Sequence, residues 1–267
     1  MVMTNFLRER KSVRDFKGKK LSQKELEELR LLVDGVNTQE SGKGIHFRLF
    51  ENGKIIAKKL QGKAGYSGVM IEAPHYISME MDDEAEDTLL EGGYALENVN
   101  SAIVEKDLGT CWITVDKVDE ETKKEVFGNE GAGVDFIIAI GHPKGKKFFA
   151  PETSSERMEV NEMVFKDNLD RPVTIDELEN LGLLEVFSSV RYAPSHKNSQ
   201  PWRFLIKGTD VYLLMKRGLE DQRSLVDIGV IMFYFEGMAK SIGLQNKWEV
   251  VHEEDLEGFK VVAKYNL

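Results

Sequence analysis

Leu21-Ser-Gln-Lys-Glu-Leu-Glu-Glu-Leu29 finds a close echo in Val173-Thr-Ile-Asp-Glu-Leu-Glu-Asn-Leu181. Each stretch opens on a capping box, Ser22 with Glu25 and Thr174 with Glu177. The hydroxyl accepts from the third helical N–H while the carboxylate reaches back to the cap, so two donors left over at a helix start are satisfied. The Glu-Leu-Glu-x-Leu that follows in both predicts an amphipathic helix.

Two further matches keep the same order. Phe47-Arg-Leu-Phe50, a polar Glu-Asn-Gly-Lys and Ile55-Ile56 parallel Trp202-Arg-Phe-Leu-Ile206, Lys-Gly-Thr-Asp and Val211-Tyr-Leu-Leu-Met215. Both read as strand, tight turn and strand. A helix over 93–107, ending in Leu108-Gly-Thr-Cys-Trp112, matches one over 227–241, ending in Ile242-Gly-Leu-Gln-Asn-Lys-Trp248. Three matched elements in order point to duplication. The expected fold is α+β, a mainly antiparallel sheet packed with helices around a long central pair. Its halves, 1–160 and 161–267, meet near 150–161 and are related by a pseudo-twofold axis. Gly229-Val-Ile-Met-Phe-Tyr-Phe235 is apolar almost all round and is expected to be buried between them.

Composition narrows the function classes. The formal net charge of −10 argues against a general nucleic-acid binder. No run of about eighteen apolar residues suggests a membrane span, and the polar start carries no secretory signature. A lone Cys111 permits no internal disulfide. A cytoplasmic protein acting on a small molecule is the expectation, without nucleic acid or membrane. The five histidines are scattered without metal-ligand spacing. Gly62-Lys-Ala-Gly-Tyr-Ser-Gly68 lacks the Gly-Lys-Ser/Thr of a phosphate loop, and Gly131-Ala-Gly133 precedes a strand rather than following one. Cys111, beside Trp112 at a helix end, is expected to be a packed thiol.

Two stretches carry chemistry. Arg10-Lys-Ser-Val-Arg-Asp-Phe16 sets three cations and a hydroxyl within five residues, which suits a phosphate monoester. A solvated basic surface would show the same composition. In Arg191-Tyr-Ala-Pro-Ser-His-Lys-Asn-Ser-Gln-Pro-Trp-Arg-Phe204, two prolines bracket polar side chains just before a strand. Such a stiff loop can hold Ser195, His196 and Asn198 towards a ligand.

Taken together, Arg-x-Ser-x-Arg-x-Phe and Ala-Pro-Ser-x-x-Asn-x-Gln-Pro-Trp-x-Phe resemble the signature pair of the nitroreductase family of flavin enzymes. Leu108-Gly-Thr-Cys-Trp112 and Ile138-Ala-Ile-Gly-His-Pro143 look like two further landmarks. The resemblance implies FMN as cofactor and NADH or NADPH as electron donor. It gives the flavin phosphate and ribityl chain to Arg10, Lys11 and Ser12, and the pyrimidine edge of the ring to Arg14. Backbone near Leu108, Gly109 and Thr110 would face flavin N5. Lys146 or Lys147 would reach the phosphate, and Pro194, Ser195, His196 and Asn198 would lie over the ring. No residue is expected to act as catalytic acid or base, because the reaction runs on the flavin.

One departure from the family is informative. Its members are typically homodimers with two equivalent sites, whereas here each motif occurs once, in complementary halves. The second half offers Arg157-Met-Glu-Val-Asn-Glu-Met-Val-Phe165 in place of Arg-x-Ser-x-Arg, and the first offers Val36-Asn-Thr-Gln-Glu-Ser-Gly42 in place of the proline loop. One flavin per chain is expected, in a monomer that has its dimer built in. The expected activity is ping-pong reduction of small electron-poor acceptors, nitroaromatic or quinone-like. The alternatives are a specialised flavin reaction such as reductive dehalogenation, and a non-catalytic flavin sensor or store.

Overall fold

The computed structural model describes residues 7, 10–65, 68–145, 156–218, 221–251 and 255–267. The chain forms two compact units. One comprises the described parts of Lys11–Thr88 and Ala95–Pro151; the other comprises those of Met1–Arg10, Leu89–Tyr94 and Glu152–Leu267. The fold is α+β, as the sequence predicts, with the strands in two sheets.

In the N-terminal unit, helix α1 (Gln23–Gln39) precedes strand β1 (Ile45–Phe50), α2 (Gly53–Leu60) and β2 (His75–Met81). Helix α3 (Glu86–Val104), β3 (Gly109–Thr114), α4 (Glu120–Phe127) and β4 (Val134–Gly141) follow. The sheet order is β1-β2-β4-β3, antiparallel throughout. The capping box at α1 is formed: Glu25 N–H donates to Ser22 Oγ at 3.3 Å, and Ser22 N–H to Glu25 Oε2 at 2.7 Å. The Ser22 hydroxyl and backbone hold Glu25 below the usual carboxylate range. Asn37, on the last turns of α1, acts as an extra strand edge. Its amide accepts from Phe47 N at 2.7 Å and donates to Phe47 O at 2.9 Å.

Three expectations are corrected here. Ile55-Ile56 lies in α2, not in a second strand. Gly53, Ile56, Ala57 and Leu60 recur at helical spacing and are buried, whereas Ile55 is exposed. Gly53 starts this helix against Pro74, donating to Pro74 O at 2.9 Å, where a Cβ would lie 2.2 Å from Ala73 O. Cys111 sits in the middle of β3 rather than at a helix end, because α3 stops at Val104. Asp107 then turns the chain through a left-handed φ of 58°. Finally, 36–39 of the segment matched to the proline loop is helical, within α1.

In the C-terminal unit, α5 (Val160–Met163), β5 (Val164–Lys166), α6 (Ile175–Asn180) and α7 (Leu184–Val190) lead to the hairpin of β6 (Trp202–Lys207) and β7 (Asp210–Lys216). Helix α8 (Gln222–Ser241), β8 (Glu249–Val250) and β9 (Phe259–Asn266) complete it. The order is β5-β6-β7-β9-β8, with β5–β6 the parallel pair. The hairpin turns on Gly208-Thr209; Gly208 has φ 59°, which a turn led by glycine requires. The box at α6 forms like that at α1, and the backbone bond from Thr174 leads the effects that push Glu177 down to about 2. Phe187, Phe204, Phe235, Trp248 and Tyr265 form a continuous aromatic core, with Phe235 4.8 Å from Trp248 and 5.1 Å from Tyr265.

The Leu89–Tyr94 segment of α3 belongs to this unit and crosses α8 backbone to backbone. A Cβ on Gly93 would lie 2.0 Å from Val226 O, and one on Gly229 2.0 Å from Leu90 O. Gly35, exposed in mid-α1, has nothing within 4 Å of its missing Cβ. Gly229→Ala is therefore expected to destabilise the protein by about 1–3 kcal/mol through overpacking. Gly35→Ala should stabilise it by about 0.5–1 kcal/mol through helix propensity. Thermal unfolding of the two variants checks this, and a harmless Gly229→Ala would refute the close crossing.

Candidate functional site

The predicted site residues fall into two sets, one in each unit. In the N-terminal unit, residues 13–17 run across the Gly109–Gly141 end of the β3–β4 pair. Val13 N–H donates to Thr110 O at 2.8 Å, and Lys17 N–H to His142 O at 2.8 Å. Phe16 pairs with Pro143, and Lys144 N–H donates to Asp15 O at 3.0 Å. Ser12, half-buried, is thereby carried to the strand that holds Gly109 and Thr110, with exposed Lys11 and Arg14 on either side. Leu108, Gly109 and Thr110 are buried. Gly109 is needed for this approach, since a Cβ there would lie 2.9 Å from Val13 Cγ2. Lys146 and Lys147 lie outside the described residues.

In the C-terminal unit, the proline-bracketed loop forms a 3-10 turn, His196–Asn198. Three of its non-glycine residues are left-handed: Lys197 (φ 50°), Asn198 (φ 59°) and Gln200 (φ 47°). Such conformations cost about 1–3 kcal/mol each and persist where the surroundings over-determine them. The restraints are visible. Gln200 N–H donates to Ser195 Oγ at 3.0 Å, and Gln200 Oε1 accepts from Met158 N–H at 3.0 Å. Asn198 Nδ2 donates to Glu156 O at 2.7 Å, while its Oδ1 accepts from Arg157. His196 N–H points between both oxygens of Asp227, at 3.0 and 2.9 Å, and the Ser199 hydroxyl reaches Asp227 Oδ2 at 3.4 Å. The His196 ring meets Arg223 at 3.4 Å.

Electrostatics distinguish two of these groups. Burial lowers the Arg157 guanidinium below its ordinary range, and Arg10 pushes in the same direction. A cation beside a half-buried guanidinium adds to the positive charge there, which suits an anion such as phosphate. Glu159, next in the segment, is held by Arg191 through bonds of 3.0 and 2.9 Å. Glu162 is turned back to cap Glu159 N–H at 2.8 Å. Asp227 is pushed up to about 8 by burial, against the lowering effect of the His196 and Ser199 bonds.

Arg157, Gln200 and Asp227 were not among the residues singled out from the sequence. Asp227 carried a signal, a carboxylate inside the apolar run Leu-Val-Asp-Ile-Gly-Val-Ile. Arg157 and Gln200 act through partners about forty residues away in the chain, which spacing does not reveal. Among the described residues no group of His, Cys, Asp and Glu could hold a metal ion, and no helix is long and apolar enough to cross a membrane. Asn198→Ala removes the two side-chain ties of Asn198, to Glu156 O and to Arg157, leaving a partly buried guanidinium without its amide. It is expected to cost about 1–3 kcal/mol and to raise hydrogen exchange over 156–158. Unchanged exchange there would refute the tie.

The comparisons agree with the motifs. A sequence model of the family described as "Putative TM nitroreductase" matches residues 3–239. A solved structure of a putative nitroreductase from Thermotoga maritima aligns with 99% of this chain and 92% of its own, at 18% identity and a TM-score of 0.63. An FMN-dependent nitroreductase from Clostridium difficile aligns with 53% of this chain and 88% of its own, at 22% identity and a TM-score of 0.43. No curated protein matches the chain significantly. The family match spans most of the sequence, and the chain belongs to this nitroreductase family of oxidoreductases.

Proposed function

We propose that the chain is an FMN-dependent NAD(P)H oxidoreductase that reduces small electron-poor acceptors such as nitroaromatics or quinones, with one flavin per chain. The observation that carries this reading is the 195–200 loop, whose three left-handed residues are held in place by Ser195, Asp227 and the 156–158 segment. The donor sets fit a phosphorylated flavin. The C-terminal unit supplies Arg10 and Arg157 for an anion, with Pro194, Ser195 and His196 on a stiff loop. The N-terminal unit supplies Ser12, Lys11 and Arg14 on a segment fixed to Thr110.

Bound FMN would supply hydride acceptance from NADH or NADPH and hydride delivery to the second substrate. The protein's share is positional. Arg10, Lys11 and Ser12 bind the phosphate and ribityl chain, joined by Lys146 or Lys147. Arg14 places positive charge at the pyrimidine edge of the ring, where reduction builds negative charge. Leu108, Gly109 and Thr110 present backbone beside the reactive edge, and their burial excludes water there. Pro194, Ser195, His196 and Asn198 cover the ring. The two substrates would occupy the same site in turn, which predicts ping-pong kinetics.

The test is anaerobic addition of NADH and then NADPH to the FMN-loaded protein, followed by a quinone or a nitroaromatic. Bleaching of the visible band and its return with the acceptor are expected. Bound FMN that neither nucleotide bleaches would make the protein a flavin sensor or store. Arg10→Ala and Ser12→Ala should each weaken FMN binding. For Arg10 the loss of a charge-assisted bond is worth about 1.5–3 kcal/mol, roughly tenfold to a hundredfold in Kd. Unchanged affinity in both variants would place the phosphate elsewhere.

A further inference from the structure

Asp227 stands out among the groups that the proposed chemistry does not use. It is 5% exposed, on the first turns of the largely apolar helix α8. Its two oxygens face one backbone donor, His196 N–H, at 3.0 and 2.9 Å, with the Ser199 hydroxyl at 3.4 Å. Both donors belong to the loop whose Lys197, Asn198 and Gln200 are left-handed. The Gly93–Gly229 crossing fixes the backbone of α8 two residues further on, so the carboxyl cannot follow the loop if the loop departs. One carboxyl therefore joins a rigid helix to a strained loop.

We propose that Asp227 is a positioning residue that closes the 195–200 loop over its ligand in its protonated form, so that loop closure, and with it ligand affinity, weakens as pH rises. The loop's role in holding FMN rests on the function proposed above; the closure itself does not.

The chemistry gives the direction. As a neutral acid, Asp227 can accept from His196 N–H with one oxygen and donate to Ser199 Oγ with the other, which satisfies every polar atom without a buried charge. As a carboxylate, it places a charge in a site where burial dominates and where Asp221 adds like-sign repulsion. The other charged groups nearby are Arg223, which meets the His196 ring, and His196 itself. The packed α3 segment contributes Glu91, and α7 the exposed Glu185. Opening the loop would return the carboxyl to water and to its ordinary range near pH 4, whereas the closed loop holds it at about 8. The closed form thus carries the extra proton between these limits. Its stability is highest at low pH, falls from about pH 4 to about pH 8, and levels off above, with a limiting slope of about tenfold per pH unit.

The test compares wild type with Asp227→Asn, whose amide keeps the acceptor for His196 N–H and cannot ionise. Hydrogen exchange of the 195–200 backbone, corrected for intrinsic rates, and FMN Kd are measured from pH 6.5 to 9. In wild type the opening constant of the loop should rise about tenfold to thirtyfold up to about pH 8 and then level, while in Asp227→Asn it stays flat. The wild-type to variant ratio of FMN Kd should rise over the same interval, a comparison that cancels titration of the FMN phosphate and of His196. Parallel profiles in the two proteins would overturn the proposal and leave Asp227 a merely structural bond. If Asp227→Asn does not fold, the wild-type exchange profile decides alone, and a level profile overturns the proposal. Failure of FMN to bind either protein would remove the proposed function while the exchange data still judge Asp227.

Discussion

The close crossing of the Leu89–Tyr94 segment with α8 is a constraint on which much of the C-terminal unit depends. Gly93 and Gly229 let two helix backbones meet at distances that no Cβ could share, and this sets the height and rotation of α8. From that position Phe235 reaches the aromatic core formed with Phe187, Phe204, Trp248 and Tyr265. Glu236, nearly buried, accepts from the Tyr94 hydroxyl at 2.8 Å and from Trp248 N–H at 3.1 Å. Asp227, on the same helix, is delivered beneath the 195–200 loop. A helix apolar nearly all round has little freedom to rotate once packed, so its few polar residues take fixed partners.

The loop shows how such a scaffold supports a site. Three left-handed residues in a stretch of four are costly by themselves. They are held from the inside by Asp227 and from the outside by Glu156, Arg157 and Met158. Pro194 and Pro201 limit the alternatives at each end. The result is a preorganised surface in which Ser195 and His196 are placed by backbone geometry, consistent with chemistry that asks the protein for position and charge rather than for proton transfer.

Local rules made much of this readable in the sequence. Both capping boxes form where Ser22 and Thr174 predicted them, because a helix start is decided within four residues. The 202–216 hairpin forms for the same reason. The first-half counterpart does not form: Gly53 docks on Pro74, and the 53, 56, 57, 60 spacing takes the apolar residues into a helix. Site residues followed the same division. The motifs pointed to Ser12, Gly109, Ser195 and Asn198, whereas Arg157 and Asp227 act on the loop from 41 and 31 residues away. The segment containing Arg157 stands where the second half would repeat the first motif, and it carries Glu159 and Glu162. The structure gives those carboxylates partners in Arg191 and the α5 cap, and leaves Arg157 beside Arg10 as a source of positive charge.

The central claim, a single flavin site built from motifs that occur once each, is tested most directly by titrating the flavin-free protein with FMN and counting equivalents at saturation against chain concentration. The account predicts one FMN per chain. Two per chain would show that the Val36–Gly42 and Arg157–Phe165 segments retain a working second site, and none would leave the fold standing without the flavin function.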